Sequence, residues 1–286
     1  MVDVIIVGGG PAGVSAAIYL KRLKKEVLLI SKDTGTLGRT GHIENYYGIV
    51  EPISGADLFQ IGIAQAKRMG IMVFEEEVLD IEYGGPFVVK TNQGRHEAKA
   101  VLLATGASRS SLHIKGFDQF LGKGISHCAV CDGFLYRTKR IGIVGNGPFM
   151  KEELDTLKQF AGSTIVFTNG VPLSVELDKN QEVIDDRLVE FQGDDQLSFV
   201  KTENETIAVD ALFVAVGTPS ATSFALRMGA YTDQNNLVVD KEYMTNIPGL
   251  FAAGDCIGGL LQIAKAVSDG AHAALSINKY LRQLAE

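Results

Sequence analysis

Two cysteines three positions apart, Cys128 and Cys131, are the residues of this 286-residue chain best suited to covalent chemistry. Thiols at this spacing can close a small disulfide, and such pairs often have a lowered thiol pKa. Exchange with an external disulfide needs one thiolate to attack and a second to resolve the mixed disulfide. Zinc is the rival reading of a CxxC pair. A structural zinc site usually takes four ligands, however, and the only other cysteine, Cys256, is remote in sequence with no second CxxC. Three cysteines also cannot build a disulfide framework. Cys256 reads as a buried small residue. His127 could tune its neighbour Cys128, although a lone adjacent histidine is more often incidental.

The second constellation is Gly8-x-Gly10-x-x-Gly13, which follows an apolar run and opens a helical pattern at Pro11. That context is what a dinucleotide fingerprint requires. The first glycine makes a tight turn, the second lets backbone N–H groups approach a pyrophosphate, and the third allows close helix–strand packing. The helix start adds about half a positive charge. Asp33 stands near the offset of a ribose ligand, but just past its strand. A related turn, Gly145-Asn146-Gly147, has Met150 where the third small residue is wanted, and its following strand ends in Phe167-Thr168-Asn169-Gly170. No arginine is there to hold a 2′-phosphate and no acid to hold a ribose diol. A retained fold that no longer binds a nicotinamide nucleotide is the better reading of this second turn.

The elements that must position these residues recur in a fixed order. A strand over residues 3–7, a glycine turn, a helix from Pro11 and a strand over 26–31 are followed by three strand-like runs, VLDIEY, PFVVKT and AKAVLLAT. The order then repeats from a strand at 140–144 through a helix at 148–160 and a strand at 163–167 to RLVEFQ, LSFVKT and ALFVAVG. Gly8 thus matches Gly145, and Ala104-Thr105-Gly106 matches Ala215-Val216-Gly217. This repeat predicts an α/β chain with two Rossmann-like nucleotide-binding domains, the second of them trimmed. A final amphipathic helix over about 262–284 completes the first domain. The domains are therefore expected at 1–113 with 244–286, and at 114–243 as an insertion.

Composition narrows the function further. Hydrophobic residues make up 46% and charged residues 21%, and the formal net charge is −7. An acidic chain is not a general nucleic-acid binder. No apolar run is long enough to span a bilayer. The first residues enter a strand with no basic leader or cleavage site, so a cytoplasmic protein is expected.

Taken together, Gly8 to Gly13, Glu44-Asn45, Ala104-Thr105-Gly106, the run Cys128-Ala129-Val130-Cys131-Asp132-Gly133 and Gly254-Asp255 closely resemble the low-molecular-weight thioredoxin reductases over essentially the whole chain. The resemblance implies FAD on the first domain, a homodimer, and an inserted domain that presents a dithiol alternately to flavin and to thioredoxin. Carried over by position, Cys131 would face the flavin, Cys128 would attack thioredoxin, and Asp132 would be the acid–base partner. Gly10, Pro11 and Ala12 would hold the pyrophosphate. Asn45, Thr105, Asp255, Gln262 and Ile263 would lie along the ribityl chain and ring, with Cys256 a small residue in the flavin site.

The departures refine the resemblance. NADPH-dependent members have a small residue where this chain has Met150, an arginine-rich run where it has Thr168-Asn169-Gly170, and an arginine where it has Leu261. In these features the chain is similar to the ferredoxin-dependent flavin thioredoxin reductases, which implies ferredoxin or flavodoxin as electron donor. Ferredoxins are acidic, so Arg137, Lys139 and Arg140, or Lys21, Arg22, Lys24 and Lys25, are candidate docking clusters. Three other readings stay open: a conventional NADPH-dependent reductase, a non-enzymatic flavin and dithiol redox sensor, and a reductase of another dithiol protein.

Overall fold

The computed structural model describes residues 1–106, 112–217, 221–233 and 236–284, with the side chains of Val130 and Cys131 outside that description. The chain divides into two compact units, Met1–Ser108 with Ser220–Glu286, and Arg109–Pro219.

The first unit starts with strand β1 (Val2–Val7), whose last four residues are buried, as suits a strand covered on both faces. Helix α1 (Pro11–Arg22) opens on proline, where the missing N–H has no helical partner to lose. β2 (Val27–Ile30) returns parallel to β1. Helix α2 (Gly55–Arg68) is capped by Ser54, whose Oγ accepts from Asp57 N at 3.1 Å, and it leads to β3 (Met72–Phe74), parallel to β2. A meander follows through β4 (Val78–Tyr83), β5 (Phe87–Thr91) and β6 (Arg95–Leu103). The first half of β6 pairs with β5 antiparallel, and its second half runs beside β1 in parallel.

The second unit contains α3 (Phe117–Phe120), β7 (Ile125–Ser126), α4 (Ala129–Asp132), β8 (Arg140–Val144), α5 (Pro148–Leu157), β9 (Ser163–Phe167) and β10 (Glu182–Ile184). A three-stranded antiparallel sheet of β11 (Leu188–Gly193), β12 (Leu197–Thr202) and β13 (Thr206–Ala208) precedes β14 (Ala211–Val214). The main sheet has the order β10-β9-β8-β14-β7, and every pair in it is parallel.

The chain then completes the first unit with α6 (Ala221–Arg227), β15 (Thr232–Asp233), β16 (Asn236–Leu237), β17 (Leu250–Ala252) and α7 (Ile263–Gln283). β17 lies parallel to the end of β6, giving a parallel core β3-β2-β1-β6-β17. Each unit therefore places strand, glycine turn, helix and strand at the centre of a parallel sheet, the repeat expected from the sequence. The architecture is α/β.

The return to the first unit falls at about Ser220, earlier than the boundary at 244 read from the sequence. The reason lies in α6, whose Ala221, Phe224 and Ala225 are buried in one cluster with Val7, Leu103 and Cys256. Arg227 Nη1 also donates to Asp80 Oδ1 of β4 at 2.8 Å. Among the described residues no helix is long and apolar enough to cross a membrane.

Candidate functional site

The first glycine turn is shaped by two steric constraints. Gly8 has φ of +113°, and a side chain there would overlap the carbonyl of Ala104 beyond β6. A Cβ at Gly13 would overlap the Gly8 carbonyl, so only glycine lets α1 approach β1 this closely. Gly10 differs, because a Cβ there would meet no atom within 4 Å. It is the N-cap of α1, with extended backbone, no capping side chain and no acid in the first turn. An open approach to an uncapped helix start fits an anionic phosphate. A cavity of about 420 Å³ adjoins it, lined by Gly10, Pro11, Val14, Ile18, Phe59 and Ile263 among others. Asp33 turns inward on its own loop, its Oδ1 accepting from Gly35 N at 2.7 Å.

The other candidate cofactor residues cluster at the carboxyl ends of β1, β6 and β17, the edge where open α/β sheets bind ligands. Ala104 N donates to Val7 O at 2.8 Å, Thr105 Oγ1 accepts from Ala221 N at 2.9 Å, and Gly106 follows with φ of +79°. Past β17, Gly254 has φ of +83°, and a Cβ there would come within 2.9 Å of Ala12 Cβ, so this loop lies against the start of α1. Asp255 stands in the short helical turn Gly254–Ile257. Burial lifts its carboxyl above the usual range, nearby Lys265 draws it down and Asp269 pushes it up. Asn45 Nδ2 donates to Gln262 Oε1 at 3.0 Å, joining two candidates remote in sequence.

Sequence reasoning missed what fixes this loop. Lys265 Nζ donates to Gly254 O at 3.0 Å and Gly258 O at 2.6 Å, and pairs with Asp269 Oδ2 at 2.8 Å. Buried Asp269 also accepts from Gly254 N at 3.2 Å and Tyr243 OH at 3.0 Å. The i,i+4 spacing of Lys265 and Asp269 on a helix was the available signal. Cys256 is a free thiol, its Sγ donating to Leu103 O at 3.4 Å and Ala253 O at 3.3 Å, and burial pushes its pKa up to about 12. It packs as an apolar residue.

In the second unit, Cys128 is disulfide-bonded and buried. The side chain of Cys131 lies outside the described residues. Ser126, at the end of β7, organises the turn: its Oγ donates to Asp132 Oδ2 at 2.6 Å and accepts from Cys128 N at 3.1 Å. Ala129 N donates to Oε2 of buried Glu153 on α5 at 2.9 Å. Neither Ser126 nor Glu153 was singled out from sequence. The clue for Glu153 is a charged residue on the helix face shared by Met150, Leu154 and Leu157. Burial lowers the imidazole pKa of His127 below its usual range, and a backbone hydrogen bond with Val214 opposes this. The shift favours the neutral ring and so weakens any positive charge beside Cys128. Phe134 and Leu135 are exposed, and the Arg137 guanidinium lies 4.9 Å from the centre of the Phe134 ring. Lys139 and Arg140 pair with Asp210 and Glu182. Among the described residues, no group of three or more His, Cys, Asp or Glu side chains is placed to hold a metal ion.

The second glycine turn also starts on an uncapped N-cap, Gly147, whose Cβ would meet only Ser174 Oγ at 3.4 Å, but its third position carries a large side chain. Fully buried Met150 has its Cβ only 2.7 Å from where a Gly145 side chain would start. Ser174 donates from its N at 2.8 Å and its Oγ at 3.1 Å to Asn146 O, while Asn146 Nδ2 donates to Pro172 O at 3.0 Å. The segment 172–174 is thereby tied to the turn. Asn169, with φ of +54°, accepts from Leu188 N at 2.8 Å, so its side chain serves the fold.

Comparison with known proteins places the whole chain in one family. The family model for pyridine nucleotide-disulphide oxidoreductases matches residues 2–270. A thioredoxin reductase of Aquifex aeolicus is 32% identical, the match covering 98% of this chain and 93% of the relative. Among solved structures, the atypical thioredoxin reductase TRi from Desulfovibrio vulgaris Hildenborough superposes with a TM-score of 0.91 at 35% identity, over 99% of both chains. A ferredoxin-flavin thioredoxin reductase from Clostridium acetobutylicum gives 0.72 at 31% identity, over 99% of this chain and 98% of that one. The chain belongs to the pyridine nucleotide-disulphide oxidoreductases, as a member of the thioredoxin reductase family.

Proposed function

We propose that this thioredoxin reductase draws its electrons from reduced ferredoxin, or flavodoxin, and not from NADPH. The observation that carries the reading is the second glycine turn, where Met150 fills the helix–strand packing position and residues 172–174 are tied to Asn146. The similarity to a ferredoxin-flavin enzyme supports it.

FAD is the cofactor of this family, and the open turn suits its pyrophosphate. Gly8, Gly10, Pro11, Ala12 and Gly13 would hold the phosphates. Asn45, Ala104, Thr105, Gly106, Gly254, Asp255, Gln262 and Ile263 would line the rest. When bound, FAD supplies a store that can be filled by single electrons and emptied as a pair to a disulfide.

The chain's own chemistry is thiol–disulfide exchange. The Cys128–Cys131 disulfide takes two electrons and two protons to become a dithiol. The Cys128 thiolate attacks one sulfur of the thioredoxin disulfide, forming a mixed disulfide and releasing a thioredoxin thiolate. Cys131 then attacks Cys128, which re-forms the internal disulfide and frees thioredoxin as a dithiol. Asp132, held by Ser126, carries the protons that this exchange moves. We place the working enzyme in the cytoplasm as a homodimer. The Lys21 to Lys25 cluster lies at the far end of α1, about 18 Å from the glycine turn at 1.5 Å per residue, a poor place for electron entry.

The test is anaerobic flavin absorbance. Reduced ferredoxin should bleach the flavin and thioredoxin should restore it, while NADPH leaves it unchanged. Rapid bleaching by micromolar NADPH would overturn the reading.

A further inference from the structure

We propose that Glu153 is a positioning residue of the dithiol centre: its buried carboxylate holds the Cys128–Ala129 peptide and, as a fixed negative charge beside it, opposes a thiolate at Cys128. Glu153 lies on α5 between Met150, Leu154 and Leu157, all fully buried, and is itself only 2% exposed. Its Oε2 accepts from Ala129 N at 2.9 Å. That nitrogen is bonded to the carbonyl carbon of Cys128, and four covalent bonds separate it from the Cys128 sulfur, a reach of about 5 Å at most. The carboxylate oxygen is therefore within about 8 Å of the sulfur. A carboxylate buried at this depth costs several kcal/mol unless it is hydrogen-bonded, whereas glutamine could accept the same bond at less cost. The charge is what glutamine would lose.

The other titratable groups of this turn leave room for such a role. His127 is shifted toward its neutral form. Asp132 is engaged by Ser126 Oγ, and its charge, with burial, raises the Tyr136 phenol. Lys151, on the same helix as Glu153, is paired with Asp155. Like charges within several ångströms disfavour one another, so a carboxylate here raises the thiol pKa of Cys128. A dithiol whose thiolate is not stabilised is the stronger reductant, because stabilising the reduced form makes a couple more oxidising.

The inference rests on the reading that Cys128 and Cys131 are the redox pair. The experiment uses the flavin-loaded protein, poised anaerobically with reduced and oxidised glutathione. Two glutathione thiols then reduce the protein disulfide and leave as glutathione disulfide. The thiolate absorbance of Cys128 is titrated as the difference from Cys128→Ser, in wild type, Glu153→Gln and Glu153→Asp. Glu153→Gln keeps an acceptor for Ala129 N and should lower the Cys128 inflection by about one pH unit, a tenfold change in thiolate fraction. Above both inflections its couple should lie about 30 mV less negative, the same tenfold for a two-electron couple, with no change well below them. Glu153→Asp, which keeps the charge, should stay close to wild type. An unchanged inflection in Glu153→Gln overturns the proposal. If that variant does not fold, isotope-edited infrared spectra of wild type decide: the Glu153 carboxylate band must shift as Cys128 titrates, and a static band overturns the proposal. Failure of the underlying reading looks different, since wild type would then show no glutathione-dependent equilibrium at all.

Discussion

Replacing Gly10 by alanine separates cofactor binding from folding. The new methyl meets no protein atom within 4 Å, and the backbone at φ −74° and ψ −175° is one that alanine adopts freely. The expected loss in the flavin-free protein is that of a glycine N-cap exchanged for alanine, roughly 0.5–1 kcal/mol. For a unit of this size that lowers Tm by about 1–4 °C. The methyl does occupy the space through which a phosphate must approach the backbone. Losing one hydrogen bond to a charged group costs about 1.5–3 kcal/mol, so FAD should bind about 10- to 150-fold more weakly. Gly13→Ala provides the contrast, because its methyl overlaps the Gly8 carbonyl, and Gly8 is held by Ile30 O at 2.8 Å. Overpacking of about 3 kcal/mol, offset by about 1 kcal/mol of helix propensity, should destabilise even the flavin-free protein by roughly 2 kcal/mol. The assay is thermal unfolding of flavin-stripped protein, followed by titration with FAD monitored by flavin fluorescence. Wild-type FAD affinity in Gly10→Ala would refute the placement of the phosphate, and a wild-type Tm in Gly13→Ala would refute the close packing of α1.

Further outcomes follow from the same geometry. Cys128→Ser and Cys131→Ser should each reduce thioredoxin turnover to background while leaving flavin content and donor-driven bleaching intact, measured on the same preparations. Lys265→Met strips donors from two carbonyls and the partner from buried Asp269, and should cost about 2 kcal/mol, read as a lower Tm and faster flavin loss. His127 has a folded pKa below its unfolded value of about 6.5, so the unfolded chain binds the extra proton. Its neutral burial is harmless above that value and destabilises progressively as the pH falls through it. His127→Gln should therefore flatten the acid side of a Tm profile taken from pH 7.5 to 5.

The central strands and both glycine turns were legible in the sequence because apolar runs ending in glycine leave few alternatives. α1 and α7 were legible for a related reason, since proline or a polar residue marks the start of a long amphipathic run. β3, β10 and β7 were not, because two- or three-residue strands carry no periodicity of their own. The return to the first unit was misplaced because Ala221, Phe224 and Ala225 would suit a helix on either unit, and only packing against Val7 and Leu103 decides. The candidate cofactor residues came from motif order, but the Lys265–Asp269 clamp could not be read that way, since its acceptors are backbone carbonyls. Glu153 and Ser126 act on backbone N–H groups of the CxxC turn, contacts that no pattern of side chains records.

The two glycine turns show one scaffold completed with different packing at the third position. In both, the first glycine approaches the carbonyl of an alanine after a neighbouring strand, Ala104 in one unit and Ala215 in the other. That constraint belongs to the sheet and survives whatever binds. The third position is where they part. Gly13 admits the helix close to β1 and leaves the approach to Gly10 clear, whereas Met150 fills the corresponding volume with core that Leu154 and Leu157 then extend. Once a side chain supplies that packing, a bound nucleotide is no longer needed to complete the turn, and residues 172–174 can settle on Asn146 at no loss to the fold. Returning Met150 to a small residue would therefore open a cavity costing about 2–5 kcal/mol without uncovering the turn. On the proposed reading, electrons reach the Cys128 centre by a route that does not begin at this turn, and a donor that hands electrons singly to a flavin on the first unit meets that requirement.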